Sequence, residues 1–289
     1  MIPKVIHYCW FGNNPLPEKT LKCIDSWKKY CPDYEIKRWD ETNFDYKCCN
    51  YVMEAYREKK WAFVSDYARF KILYENGGLY FDTDVEIIRS LNKLIANGAF
   101  MGCEQWRGKM YINPGLGIAA EAGMRLFKRI LEYYERESFL RNDGMSDTKT
   151  VCARVTEILL KDGFIGTGYI EYVDDIYLYP PEYFSPKDFE TGRIKLTKNT
   201  VSIHHYDATW FEPEEKKSYE IEQYLKDNLG IMLGTFVNFP IHYFYRFKLR
   251  IRQKGSIIKA LYYFGNKVYM DKLKKCIKKR EISVKEKKS

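Results

Sequence analysis

An open α/β fold, a largely parallel sheet with crossover helices, is predicted by three features of this 289-residue chain. The chain opens as strand, helix and strand over residues 5–10, 18–31 and 34–39, the start of a βαβ layout. Residues 61–85, WAFVSDYARFKILYENGGLYFDTDV, read as a helix, a two-glycine stop and a short buried strand. That strand delivers Asp82 and Asp84 to its carboxyl end, where open α/β sheets bind their ligands.

The elements follow in order. Val5, His7 and Cys9 share one face of the first strand and Ile6, Tyr8 and Trp10 the other, before Asn13, Asn14, Pro15 and Pro17 break it. Leu21, Ile24 and Trp27 give the next helix an apolar stripe. Residues 51–59 read as a charged helix, and Trp61–Glu75 as a longer one ended by Asn76 and Gly77. Leu79–Phe81 is too short and apolar for anything but a buried strand. Asp82 and Asp84, two apart on extended backbone, are expected to point to one side. Then come a strand at 100–103, a loop at 107–117, helices at 121–137 and 152–161, irregular chain at 172–200, and a strand at 201–206, VSIHHY.

Net charge is +9 and unevenly placed. Residues 241–289 hold 16 of the 48 basic and 3 of the 39 acidic side chains, which leaves 32 and 36 on the rest. An acidic body argues against a basic groove for nucleic acid and sets the tail apart as an anchoring segment. No apolar run approaches the ~20 residues of a membrane span. The eight cysteines form no CxxC pair, and the N-terminus enters a strand without a basic-then-apolar leader, so a reduced, cytoplasmic protein is expected.

Asp82 and Asp84 are the candidate metal ligands, because paired carboxylates at a strand end can hold Mn²⁺ or Mg²⁺ against a diphosphate. Asp66 and Arg69, three apart, share a helix face. They form either a simple ion pair or a carboxylate that accepts from sugar hydroxyls beside a charged donor. His204 and His205 are adjacent in a strand and face opposite ways, so at most one reaches the metal. His205 is the choice, because it leads into the Tyr206–Trp210 loop expected to close over the diphosphate. An imidazole ligand favours Mn²⁺ over Mg²⁺. Trp10, at a strand end, is placed either to stack on a base or to fill the core. Asn113 and Gly115, in YINPGLG, offer a polar loop to the substrate.

Three blocks together resemble the DXD-containing sugar transferases of glycosyltransferase family 32, which include yeast Golgi mannosyltransferases and bacterial capsular-polysaccharide enzymes. They are IPKVIHYCWFG, the 61–85 block and IHHYDATW, spanning residues 2 to about 210. The resemblance implies a GT-A (Rossmann-like) fold, a nucleotide-sugar donor, a divalent metal and retention of anomeric configuration. The central block is also similar to the glucosylating domains of large clostridial toxins. That likeness implies that Asp66 and Arg69 hold the donor sugar, that Trp10 stacks on uracil, and that Asp82 and Asp84 serve ribose and metal. Family members often end the last block with Ser-Trp; here it is Thr209-Trp210, and Trp210 joins the donor-binding set.

The catalytic domain is expected over residues 1–239 and a helical, basic, aromatic tail over 240–289. Such a tail suits either an anionic membrane surface or a packing extension with a solvated face. The whole is expected to be a retaining, Mn²⁺-dependent (or Mg²⁺-dependent) enzyme. It would move a hexose from a UDP-sugar, with GDP-mannose second, to a glycan or lipid-linked oligosaccharide. Bacterial capsular or other surface-polysaccharide synthesis is the expected setting, on the inner face of the plasma membrane. No catalytic base is assigned. The rivals are a toxin-like enzyme that modifies a protein and a basic nucleic-acid-binding protein.

Overall fold

The computed structural model places helices and strands where the helical and alternating patterns lie. It describes residues 1–106, 108–141, 146–188, 191–207, 213–258 and 261. The chain divides into two compact units, one of residues 1–189 and 193–210, the other of 190–192 and 211–289.

The first unit begins β1 (Val5–Cys9), α1 (Glu18–Tyr30), β2 (Glu35–Trp39), α2 (Asn50–Arg57), α3 (Trp61–Asn76), β3 (Gly78–Tyr80) and β4 (Val85–Ile87). It continues α4 (Asn92–Asn97), β5 (Phe100–Trp106), β6 (Lys109–Ile112), β7 (Ile118–Ala120), α5 (Arg125–Glu135) and α6 (Val151–Lys161). It closes with β8 (Glu171–Val173), β9 (Ile176–Tyr179), α7 (Pro181–Phe184) and β10 (Ser202–His204). The main sheet has the order β2-β1-β3-β7-β5-β9-β8, with β6 paired to β5. β1 lies parallel between β2 and β3, while β7 runs antiparallel between β3 and β5. β4 and β10 form a separate antiparallel pair. A Rossmann-like parallel start with a mixed continuation is the α/β architecture expected of a GT-A fold.

Apolar side chains cluster in two layers. Tyr51, Phe70, Phe127, Ile130 and Val155 belong to one, and Ile24, Trp27, Leu79 and Phe81 to the other. Leu21, expected on the stripe of α1, is exposed; Cys23 and Thr20 are buried there with Ile24 and Trp27. The stretch 172–200 is not irregular throughout, since it holds most of the β8–β9 hairpin. Its turn residues Asp174 and Asp175 both have positive φ, 47° and 63°, the backbone of a two-residue hairpin turn. The loop at 107–117 likewise contains β6.

The second unit holds α8 (Pro213–Leu229) and α9 (Ile231–Lys254). The boundary expected between residues 239 and 240 falls inside α9, which runs on through Pro240. Among the described residues no helix is long and apolar enough to cross a membrane.

Gly77 and Gly78 join α3 to β3 with φ of 65° and 99°. A Cβ on Gly78 would lie 2.7 Å from the Val5 carbonyl oxygen and 3.0 Å from His7 Nε2. His7 accepts from Trp39 Nε1 at Nδ1 (3.0 Å), so its Nε2–H donates to the Gly77 carbonyl (3.0 Å). Burial pulls the His7 pKa down to about 4, which keeps this tautomer neutral. Gly78→Ala should cost about 1–3 kcal/mol in urea unfolding. An unchanged midpoint would show that β1 yields to the added methyl.

Candidate active site

The carboxyl ends of β2, β1 and β3 lie on one edge of the sheet, and Asp40, Trp10 and Asp82 follow close behind them. α3 packs on β1 and presents Asp66 and Arg69, one helical turn apart, toward Asp82.

Arg69 is only 3% exposed. Its Nη2 donates to Asp66 Oδ1 at 2.8 Å, and its Nη1 lies 3.2 Å from Asp82 Oδ1. Its Nε donates to the Ser65 carbonyl at 3.1 Å, and the guanidinium lies 4.9 Å from the centroid of the Tyr80 ring. The Tyr80 hydroxyl donates to Asp82 Oδ1 at 3.2 Å. Burial works against the Arg69 charge, and Asp82, Tyr80 and Asp66 more than offset it. Burial, offset only in part by Arg69, pushes the Asp66 carboxyl up to about 6. The pair is therefore no solvated ion pair on a helix; it is buried and shared with the Asp-x-Asp.

Asp82 and Asp84 do not sit on one extended strand. β3 ends at Tyr80, and residues 82–85 form a turn closed by the Val85 N–H on the Asp82 carbonyl at 3.1 Å. The carboxylates part. Asp82 turns to Arg69 and Tyr80. Asp84 meets His204 Nε2 at 3.1 Å and accepts the Asp207 N–H at 2.9 Å. Burial pushes the Asp84 carboxyl up, but these contacts outweigh it and hold the group well below the usual carboxylate range. Burial likewise opposes charge on His204, and Asp84 reverses that, so the imidazole pKa is raised.

The imidazole at the acidic turn is thus His204, not the His205 expected from the sequence. His205 Nε2 lies 2.9 Å from Glu86 Oε2 on a more open face. The register explains this. Ile203 is opposite Glu86 and His204 opposite Val85, so His205 falls on the Glu86 side. Asp84 has left the strand for the turn, which brings its carboxylate to the His204 side.

Trp10 is half-buried after β1, with Nε1 donating to the Asn14 carbonyl at 2.7 Å. Asn113 is buried. Its Nδ2 donates to Glu104 Oε2 at 2.7 Å and its Oδ1 accepts the Gly115 N–H at 2.9 Å, so both ends of the amide shape the loop. The Gly115 carbonyl accepts the Asp82 N–H at 3.0 Å, and a Cβ on Gly115 would fall 2.0 Å from Asp82 Oδ2. Trp210 lies outside the described residues.

Other side chains meet here that the sequence did not single out. The Tyr206 hydroxyl donates to Glu104 Oε2 at 3.1 Å and lies 2.6 Å from Ser185 Oγ, while its ring meets His204 edge-on at 4.2 Å. Lys187 Nζ donates to the His205 carbonyl at 2.6 Å, and Lys19 Nζ donates to Asp207 at 3.2 Å. Tyr80 carried a signal, its spacing of two from Asp82. Lys187 carried none, because it comes from the stretch expected to be irregular. Among the described residues no three His, Cys, Asp or Glu side chains close into a metal-binding cluster. The donor chemistry at the turn, two carboxylates and one imidazole, instead fits a cation held jointly with phosphate oxygens.

The site is an acidic turn at the strand ends of an α/β sheet, beside a buried Asp–Arg pair. Residues 17–101 match the family described as a glycosyltransferase sugar-binding region containing a DXD motif. Over those residues the chain carries a glycosyltransferase sugar-binding region with a DXD motif, and the relatives it resembles are glycosyltransferases by name. It is 25% identical over 200 residues to an uncharacterised glycosyltransferase of Acanthamoeba polyphaga mimivirus, covering 65% of this chain and 77% of that protein. It is 34% identical over 98 residues to inositol phosphoceramide mannosyltransferase 3 of Schizosaccharomyces pombe. That match covers 32% of this chain and 27% of the yeast enzyme. Among solved structures, PaToxG glycosyltransferase is 19% identical, covers 56% of this chain and 70% of its own, and superposes with a TM-score of 0.42, too loosely to place residues.

Two outcomes follow from this geometry. Gly115→Ala should displace Asp82 and slow donor hydrolysis by about 100-fold, measured as nucleoside diphosphate release. The Asp66 carboxyl titrates near 6 in the fold against an ordinary 3.8, so its ionisation costs stability. This group's contribution is therefore fully favourable below pH 3.8 and is lost as pH rises through 6. Asp66→Asn should melt no lower than wild type at pH 8, yet hydrolyse donor about 100-fold more slowly. A lower melting temperature with normal turnover would make Asp66 a structural residue.

Proposed function

We propose that the enzyme transfers a hexose from a UDP-sugar to a glycan or lipid-linked acceptor, with retention of configuration. The observation that carries this reading is the Arg69 fork, which joins Asp66, a carboxylate suited to sugar hydroxyls, to Asp82 of the acidic turn. Trp10 stacks on the base at the end of β1. Asp66 accepts from hydroxyls of the donor sugar, and Arg69 fixes the orientation of that carboxylate. Asp82 serves the ribose and the cation. Asp84, Asp82 and His204 are the residues that would hold Mn²⁺, or Mg²⁺, and the bound cation would neutralise charge on the departing diphosphate. Lys187, at the His205 carbonyl, and Lys19, at Asp207, add positive charge near the turn. No side chain is assigned as nucleophile or base.

A second donor is favoured by one observation. The fission-yeast relatives are by name inositol phosphoceramide mannosyltransferases, which supports GDP-mannose as donor and a lipid-borne acceptor. A panel of sugar nucleotides, assayed for nucleoside diphosphate release with Mn²⁺, separates the two. Release from one UDP-hexose, abolished by EDTA and by Asp84→Asn, is the expected result. Release from GDP-mannose alone would select the second donor. Release that survives EDTA would remove the cation from the account.

A further inference from the structure

We propose that the α8–α9 hairpin docks on an anionic lipid surface through the outward apolar face of α9. The hairpin is built inside out. Its inner seam is small and polar from Gly234 to His242, before the buried Leu249: a Cβ on Gly234 would fall 2.6 Å from the Lys226 backbone, and Ser218 Oγ lies 3.3 Å from His242 Nδ1. Asn238, one turn from both Gly234 and His242, is buried at 3% exposure. The apolar side chains point the other way, with Met232 89%, Phe236 77%, Phe239 63% and Phe244 62% exposed. In water a helix pair buries its apolar stripe against its partner. Small and polar contacts inside with apolar side chains outside is the arrangement suited to an apolar surrounding.

Charge selects the partner. α9 carries no acidic residue over its 24 positions, and Ile231 through Tyr245 carries no charge at all. Arg246 and Lys248 follow, both exposed, and fall on opposite flanks of the apolar stripe. Exposed aromatics flanked by long basic side chains fit the boundary between headgroups and acyl chains, where the rings sink ~5–10 Å and the cations reach phosphate. The helix does not qualify as a membrane span, so it lies in the interface. The anchoring face thus centres on residues 232–244, upstream of most of the basic tail. This assignment stands independently of the donor.

The test uses the full chain with vesicles of phosphatidylcholine alone or mixed with phosphatidylglycerol. The wild type should co-sediment with the mixed vesicles and about tenfold less with the neutral ones. The double variant Phe236→Glu/Phe239→Glu should lose binding by about tenfold or more with an unchanged circular dichroism spectrum, both positions being exposed. Phe236→Trp gives a readout that needs no disruptive change: the emission of the introduced indole should shift to the blue and be quenched by brominated lipid. Absence of wild-type binding, undiminished binding of the double variant, or an unshifted emission from Phe236→Trp each overturns the proposal. A wild-type dimer that the double variant dissociates, without vesicle binding, would overturn it in favour of a second copy on this face.

Discussion

Arg69 carries a full charge where water has almost no access, and the site depends on how that charge is satisfied. A guanidinium offers its donors in a rigid planar fork, so it can grip carboxylates in different directions at once. Here one arm holds Asp66 on the same helix and the other holds Asp82 across the chain. Its face meets Tyr80, which itself donates to Asp82. Removing the guanidinium itself would leave the buried Asp66 without its cation, at a cost of about 3–5 kcal/mol. The same contacts that make the cation tolerable also fix the carboxylates that the donor would meet.

Around that hub the backbone does the rest. The turn after β3 separates Asp82 from Asp84, and each joins a different group. Asp82 belongs with Arg69, Tyr80 and the Gly115 loop. Asp84 belongs with His204 and the Asp207 amide. A second buried cation supports the far side of α3's layer: Arg154 pairs with Asp147 and is enclosed by the rings of Tyr51, Tyr133 and Tyr134. Arg69 and Arg154 are thus both buried with carboxylates and tyrosines as their main partners.

Much of this is legible in the amino-acid sequence alone. The helix of residues 61–76, its glycine stop and the spacing of Asp66 and Arg69 follow from local rules, because they rest on contacts near in sequence. The facing of His204 is not legible there. It depends on whether Asp84 stays in a strand or enters a turn, and on a register set by β4, more than a hundred residues earlier. The strands β6, β8 and β9 escape sequence reading for another reason. They are only three or four residues long, too short for a periodic signal, and the β8–β9 turn is Asp-Asp rather than a glycine-bearing pair. Pro240 looks like a boundary and is not one, since α9 continues through it.

The most direct measurement is nucleoside diphosphate release by Arg69→Lys from the best donor, read beside its thermal melt. A single ammonium keeps the charge but cannot span Asp66 and Asp82 while stacking on Tyr80. The account predicts a fall in kcat of about 100-fold or more together with a lower melting temperature. Turnover within a few-fold of wild type would contradict it, because the fork would then not be what holds the two carboxylates in place.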